Sequence, residues 1–280
     1  MTGLDGPMTG TAGGVAIIGG GKIGEALLSG LQGGKADLGD LVVVEKHPER
    51  VSQLTERYGV RVVGAGEAVR CCRTLIIAVK PQDIDALLDE LAGRLTAEHL
   101  VVSVAAGITT ARIEARLTGA PAVVRCMPNT PALVDQAMTA ICGGTRAEES
   151  HLQRAELLLA AVGKVVRVPE SQLDAVTALS GSGPAYFFFL VEAMIDAGIL
   201  LGLPRALAAE LIVQTLYGSA VMLRDSGEHP VQLREAVTSP AGTTIAAIRE
   251  LERHGVRAAF LSAIEAARNR SAELGGTDTR

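Results

Sequence analysis

The chain has 280 residues, 48% of them hydrophobic and 20% charged, with a formal net charge of −5. That length suits one large or two medium domains with a well-buried core. The acidic balance and the lack of a basic stripe exclude a nucleic-acid partner. Charges such as Glu192 and Asp196 interrupt the apolar runs before they reach the ~18 residues of a bilayer span, so no membrane partner is expected.

Residues 1–14 are rich in Gly and Thr and lack the basic and apolar regions of a signal peptide, which predicts a flexible lead. Val15-Ala16-Ile17-Ile18 then reads as a short buried strand. It runs into Gly19-Gly20-Gly21-Lys22-Ile23-Gly24, after which residues 25–31 read as a helix. A Gly-x-Gly-x-x-Gly spacing between a strand and a helix fits a dinucleotide site. Its glycines let backbone approach a pyrophosphate, and the helix start attracts the negative charge. A tight turn without a ligand is the bland alternative.

Further strands are predicted at residues 41–45, 60–63, 74–79, 100–104 and 122–126, and two more at 137–142 and 165–168. Helical segments fall around 49–57, 82–93, 109–117 and 149–161. Continuous Val/Ile runs alternating with helices argue for a doubly wound, mostly parallel sheet covered on both faces. Glu45 ends the second strand, where an acidic residue bonds the adenosine ribose hydroxyl and favours NADH. Lys46, His47 and Arg50 follow at once and suit the 2′-phosphate of NADPH, so the preference stays open. Ala78-Val79-Lys80-Pro81 and Met127-Pro128-Asn129 sit at the carboxyl ends of two strands, the ligand side of such a sheet. They are candidate cofactor contacts, with helix initiation and a rigid turn as the alternatives.

Past Val168-Pro169-Glu170 the strand-like runs stop. Helices are predicted at 172–179, 184–201, 204–225, 230–237, 242–253 and 256–273. The expected limits are therefore 1–14 lead, 15–169 dinucleotide-binding domain, 170–274 helical substrate-binding and dimerisation domain, and 275–280 tail. The surplus of apolar helix suggests contacts between subunits. Ser180-Gly181-Ser182-Gly183-Pro184 reads as a flexible loop with Ser182 as a helix cap. Ser239-Pro240-Ala241-Gly242-Thr243-Thr244 opens a helix with small, hydroxyl-bearing residues. That composition makes a cradle for a small carboxylate. The five His lie scattered in polar company, and none stands out as a general base. The four Cys form no CxxC pair and read as reduced in a cytoplasmic protein, and no metal site is expected.

These motifs, taken in order, resemble the pyrroline-5-carboxylate reductase family. The resemblance spans residues 15–274 and rests on Ala78-Val79-Lys80-Pro81-Gln82, on Met127-Pro128-Asn129-Thr130-Pro131, on Leu179 to Tyr186, and on Val237 to Thr244. It implies reduction of 1-pyrroline-5-carboxylate to L-proline by NADPH or NADH, and a helical dimer that builds larger rings, often decamers. It also implies that Ser239, Gly242, Thr243 and Thr244 hold the substrate carboxylate, and that Thr244 lies near the ring nitrogen, with Ser239 and Thr244 serving catalysis. Two positions depart from the family pattern. Ala241 replaces a Gly, a single added methyl that should be tolerated. Ala65 replaces an Asn that helps hold the adenosine ribose or its phosphate. Two rivals are a 3-hydroxyacid-type dehydrogenase, which needs a catalytic Lys or His in the helical half, and a non-catalytic NAD(P)-sensing protein.

Overall fold

The computed structural model describes residues 13–34 and 38–276. The chain separates into two compact units. Among the described residues the first runs to Gly181 and regains the chain at Arg268, and the second is Ser182–Ala267. The units part later than the change of periodicity at Val168-Pro169-Glu170, because the first turns after that point pack on the sheet. Most of the lead and tail expected at 1–14 and 275–280 lies outside the described residues. Gly14 itself already opens the first strand.

In the first unit, β1 (Gly14–Ile18), β2 (Leu41–Val44), β3 (Arg61–Val62), β4 (Cys72–Ile77), β5 (Leu100–Ser103), β6 (Ala122–Met127), β7 (Ala137–Gly143) and β8 (Gly163–Arg167) form one sheet. Its order is β3-β2-β1-β4-β5-β6-β7-β8. Only β6 and β7 run antiparallel; the other neighbours are parallel. The strands read as unbroken apolar runs because both faces are covered. Val15, Ile17, Val43, Ile76, Val102 and Val124 face one core cluster. Their neighbours Ala16, Ile18, Val42, Ile77, Val101 and Val123 face the other.

Helices α1 (Lys22–Gly33), α2 (Pro48–Tyr58), α3 (Ala65–Cys71), α4 (Ile84–Leu91), α5 (Thr110–Arg116) and α6 (Glu149–Leu159) cover these faces. α3 escapes the sequence reading because it has only 7 residues and contains Gly66. Its buried Ala65, Ala68 and Val69 are the only helical spacing it shows. Ile18 lies opposite Val44 on one side and Ile77 on the other, so the loops after β1, β2 and β4 leave the sheet at one level.

After β8 come the one-turn helix α7 (Leu173–Val176) and a π-helical turn, Thr177–Gly181. This corrects the expected flexible loop. Ser182 stands at the cap position, but its backbone is already helical and its side chain makes no cap bond. A buried charge cluster fixes this region to the sheet. The Arg125 side chain on β6 is 6% exposed, and it donates to Glu170 at 3.1 Å. Glu170 also accepts the Thr110 backbone N–H at 2.8 Å and its hydroxyl at 2.7 Å. Ser271 donates to Asp174 at 2.8 Å, tying the chain's last helical turns to the same cluster.

Burial pulls the Glu170 carboxyl upward, but the Thr110 and Arg125 donors outweigh it and leave it below its ordinary value of about 4.5. A depressed folded value contributes stability above that pH and loses it below. Glu170→Gln leaves the buried Arg125 guanidinium with only the more distant Asp174 carboxylate at 4.0 Å, and we expect a loss of roughly 2 kcal/mol at neutral pH. The gap to wild type should narrow as pH falls below about 4.5. Urea unfolding across a pH series checks this, and a gap that does not change with pH contradicts it.

The second unit holds α8 (Gly183–Leu200), α9 (Arg205–Ser226), α10 (Pro230–Ala236), α11 (Thr243–Arg253) and most of α12 (Val256–Leu274). α8 and α9 pack closely at Gly198, where an added Cβ would lie 2.9 Å from that of Ala208. Glu170–Leu200 and Arg205–Ser226 are helical stretches long and apolar enough, by length and composition, to cross a membrane. Glu192 and Asp196, expected to interrupt the apolar run, both lie inside the first of these stretches, in the helix expected at 184–201. Within the unit these helices show large apolar side chains to the outside, Phe188, Phe189, Leu200 and Leu201 among them.

Candidate active site

The turn between β1 and α1 has the form a pyrophosphate requires. Gly19 has φ +105°, in the region that favours glycine, and a Cβ there would lie 2.7 Å from the Ala78 carbonyl oxygen. Gly24 packs the first turn of α1 against the loop; its Cβ would meet the Gly19 carbonyl at 2.0 Å. At Gly20 a Cβ would strike Leu54 at 2.5 Å. Gly21 is different, with open space in front of it and no atom within 4 Å. α1 starts at Lys22 with no side-chain cap, so its first N–H groups stay available to an anion. Lys22 is exposed and Ile23 packs against the core.

Glu45 and Lys46 follow β2, and Ala78, Val79 and Lys80 follow β4. The Ala78 N–H donates to the Ile18 carbonyl at 2.8 Å and the Gly19 N–H to the Val44 carbonyl at 2.9 Å, so the glycine turn is joined to both loops. They and the glycine turn enclose a cleft of about 560 Å³, reached by Gly19, Gly21, Glu45, Lys46, Ala78, Val79 and Lys80. Pro81 begins the short 3₁₀ turn Pro81–Asp83 that leads into α4. The cleft lies at the carboxyl ends of β1 and β4, where the strand order reverses, the place at which such sheets bind ligands. The size and the glycine cradle fit a dinucleotide.

Glu45 is held rigidly. One oxygen accepts the Gly20 N–H at 2.9 Å. The other accepts the Lys46 and His47 N–H groups at 2.7 and 2.9 Å. Burial pulls its carboxyl upward, and the three backbone donors overcome that and leave it below the usual carboxylate range. Lys46 pairs loosely with Glu90 at 3.0 Å on the surface.

Met127, Pro128 and Asn129 leave the end of β6, outside the lining of that cleft. Asn129 makes its hydrogen bonds within the protein. Its amide donates to the Ser180 carbonyl at 3.2 Å and hydroxyl at 3.3 Å, and its oxygen accepts the Met138 N–H at 3.0 Å. Asn129 therefore ties the β6 loop to the π turn. Met127 lies against Gly181 in the same turn.

The second unit carries the other candidate group. After α10 the chain bends at Thr238, whose hydroxyl donates to the Arg234 carbonyl at 2.6 Å. The Gly242 N–H donates back to the Ser239 carbonyl at 3.1 Å, closing a turn around Pro240 and Ala241. Gly242 caps α11 without a side-chain bond, and the N–H groups of Thr243 and Thr244 begin the helix with no partner inside it. The Ser239 hydroxyl stands over this helix start, 2.4 Å from where a Gly242 Cβ would be. Thr243 is exposed and Thr244 half-buried. The arrangement presents backbone and hydroxyl donors to a small anion.

Ala241 has φ +55°, so its methyl does more than add bulk. A non-glycine residue in that region is strained by roughly 1–2 kcal/mol, partly offset by the greater chain entropy that glycine loses on folding. Ala241→Gly should therefore raise stability by about 0.5 kcal/mol without changing substrate affinity. A denaturant midpoint that falls for this variant contradicts the assignment.

Three of the five histidines serve structure. His99 is 3% exposed, against the expectation of polar surroundings. It bonds the Thr96 backbone N–H and the Val69 carbonyl. His151 and His229 accept backbone N–H groups at the starts of α6 and α10. Among the described residues no cluster of His, Cys, Asp or Glu suits a metal. All four cysteines are free. Burial pushes the Cys142 thiol up to about 11.

A glycine turn on a doubly wound sheet, with a separate helical unit, defines a Rossmann-type NAD(P)-dependent oxidoreductase. Residues 14–107 match the model of the NADP oxidoreductase, coenzyme F420-dependent family. Residues 170–274 match the pyrroline-5-carboxylate reductase dimerisation model. The pyrroline-5-carboxylate reductase of Mycobacterium tuberculosis is 46% identical, over 93% of this chain and 96% of its own. A solved pyrroline-5-carboxylate reductase from Coxiella burnetii superposes with TM-score 0.84 at 36% identity, over 94% of this chain and 99% of that one. The Plasmodium falciparum enzyme, solved with NADP bound, gives TM-score 0.83 at 27% identity, over 94% and 98%. The chain belongs to the pyrroline-5-carboxylate reductase family. The dimerisation match covers the helices with outward apolar side chains and supports self-association.

Proposed function

We propose that this protein reduces 1-pyrroline-5-carboxylate to L-proline with NAD(P)H, the last step of proline biosynthesis in the cytoplasm. The observation that carries the reading is the open start of α11, where Ser239 stands over Gly242 and two threonines follow. That is a receptor for a small carboxylate, in a chain whose relatives bear this activity in their names.

The bound nicotinamide supplies the hydride. Gly19 to Gly24 hold the pyrophosphate on the start of α1. Glu45, Lys46, Ala78, Val79, Lys80 and Pro81 line the adenosine side and the cleft behind it. Met127, Pro128 and Asn129 support the nicotinamide end, Asn129 through the π turn it fixes. The substrate carboxylate takes the N–H groups and hydroxyls of Ser239, Gly242, Thr243 and Thr244, which orients its C=N carbon. Thr244 bonds the ring nitrogen. The iminium form already carries its proton, so the site needs orientation more than acid catalysis. That suits a helical half whose two histidines are His229, the cap of α10, and His254, which follows α11. The limits 15–169 and 170–274 divide cofactor from substrate and dimer functions, and dimers build a larger ring, a decamer on family grounds.

A 3-hydroxyacid-type dehydrogenase needs a Lys or His beside its substrate. Residues 170–274 contain no Lys, and the two histidines there are His229, which caps α10, and His254, which follows α11. The deciding experiment follows NADH and NADPH oxidation in parallel with 1-pyrroline-5-carboxylate. Turnover with either supports the assignment. Dinucleotide binding without turnover would favour a sensing role and overturn it.

A further inference from the structure

Three basic residues, Lys46, His47 and Arg50, follow Glu45 in the sequence, and Arg50 is the best suited of them to a phosphate, having a planar fork of donors. The fold commits that fork elsewhere. Its Nε donates to the Gly20 carbonyl at 2.6 Å. One terminal nitrogen donates to the Glu25 carboxylate on α1, and the other to the Gln53 side chain at 3.0 Å. Glu25 is itself well held, accepting the Tyr58 hydroxyl at 2.9 Å and an Arg57 nitrogen at 3.0 Å. Its side chain is only 17% exposed.

Gly20 is thus gripped from both sides, by Glu45 at its N–H and by Arg50 at its carbonyl. The charged side chain left rigidly fixed at the mouth of the cleft is the Glu45 carboxylate. Lys46, His47, Lys80 and Asp83 also line the cleft and are exposed, and an exposed flexible side chain contributes little fixed attraction.

We propose that Glu25 is a positioning residue for cofactor specificity: by drawing Arg50 onto α1 and Gly20, it leaves Glu45 to meet the adenosine ribose, and so favours NADH over NADPH. The inference rests on the dinucleotide reading given above. A carboxylate accepts the ribose hydroxyls as hydrogen-bond donors and repels a 2′-phosphate. A guanidinium freed from Glu25 would do the reverse.

The test is calorimetric titration of the full chain with NADH and NADPH, and with 5′-ADP against 2′,5′-ADP, which requires no turnover. Wild type should bind NADH and 5′-ADP about tenfold or more tighter than their 2′-phosphorylated counterparts. Glu25→Gln should narrow that ratio about tenfold by strengthening 2′-phosphate binding, with NADH changed less than about threefold. Glu45→Ser should narrow it by removing the repulsion. In an Arg50→Gln background Glu25→Gln should no longer move the ratio, because no guanidinium remains to be released.

Wild type that binds NADPH as tightly as NADH overturns the proposal. So does a Glu25→Gln that weakens both dinucleotides in parallel, since that marks a purely structural role. If neither dinucleotide nor either diphosphate binds wild type, the dinucleotide reading fails along with it. Binding in the expected ratio without turnover supports this inference while refuting the substrate assignment.

Discussion

Gly24→Ala is expected to abolish useful dinucleotide binding while leaving a folded protein. The added Cβ would sit 2.0 Å from the Gly19 carbonyl oxygen and 3.1 Å from its carbon. Both are backbone atoms, so no rotamer change relieves the clash. Gly19 is held in place, its N–H donating to the Val44 carbonyl at 2.9 Å. The start of α1 must move instead. Overpacking of this kind costs about 1–3 kcal/mol. The helix should remain, since Ala26, Leu27, Leu28 and Leu31 anchor it in the core. The N–H groups aimed at the pyrophosphate would be displaced, and hydrogen bonds tolerate little displacement. We expect the Kd for NADH to rise at least about a hundredfold, roughly 2.7 kcal/mol. Gly21→Ala is the matched comparison, with φ −67° and no atom within 4 Å. It should unfold within ~0.5 kcal/mol of wild type. It should nevertheless weaken binding, because its methyl enters the cleft. Wild-type NADH affinity in Gly24→Ala would show that the pyrophosphate is not held here.

The first unit was legible because its signals are local and repeated. Each buried strand is a short run of Val, Ile and Leu, and all eight expected strands are present in the sheet. The glycine turn was equally plain, since only glycine tolerates both the φ of Gly19 and the approach at Gly24. What the sequence hid were side-chain commitments over long separations. Arg50 looked free beside Lys46 and His47, yet its partner Glu25 lies on α1. Asn129 looked aimed at a ligand, yet its bonds run to Ser180 and Met138. Charges and amides carry no periodicity, so nothing near them in the chain reveals which partner they find. The π turn at Thr177–Gly181 hid for another reason. Its Ser and Gly residues suit a loop, and a single wide helical turn leaves no pattern of its own. Ala241 illustrates the same limit at one residue, because bulk is visible in a sequence and φ is not.

Substitutions at the start of α11 should separate binding from turnover. Thr244→Ala removes a hydroxyl from the second position of an 11-residue helix. Alanine is the better helix former, so the helix should not weaken and lost activity cannot be ascribed to unfolding. If Thr244 holds the ring nitrogen as the C=N carbon is reduced, its interaction strengthens toward the transition state. We expect kcat to fall roughly ten- to a hundredfold, about 1.4–2.7 kcal/mol, with KM little changed. Gly242→Ala should act differently. Gly242 has φ −78°, which any residue adopts, so the backbone is unstrained. Its new Cβ, however, would fall 2.4 Å from the Ser239 hydroxyl oxygen. That hydroxyl can rotate, and in doing so it leaves the helix start. The carboxylate then loses a donor it uses equally in ground state and transition state, so KM should rise about tenfold while kcat holds. Full activity with unchanged KM in Thr244→Ala would remove that residue from the mechanism. A kcat loss without a KM change in Gly242→Ala would move Ser239 from holding the carboxylate to acting on the ring. The two variants carry no charge change, so neither should shift the pH dependence of turnover. A shift in either would mean that the proton on the imine nitrogen is controlled by this loop and not by the substrate's own basicity.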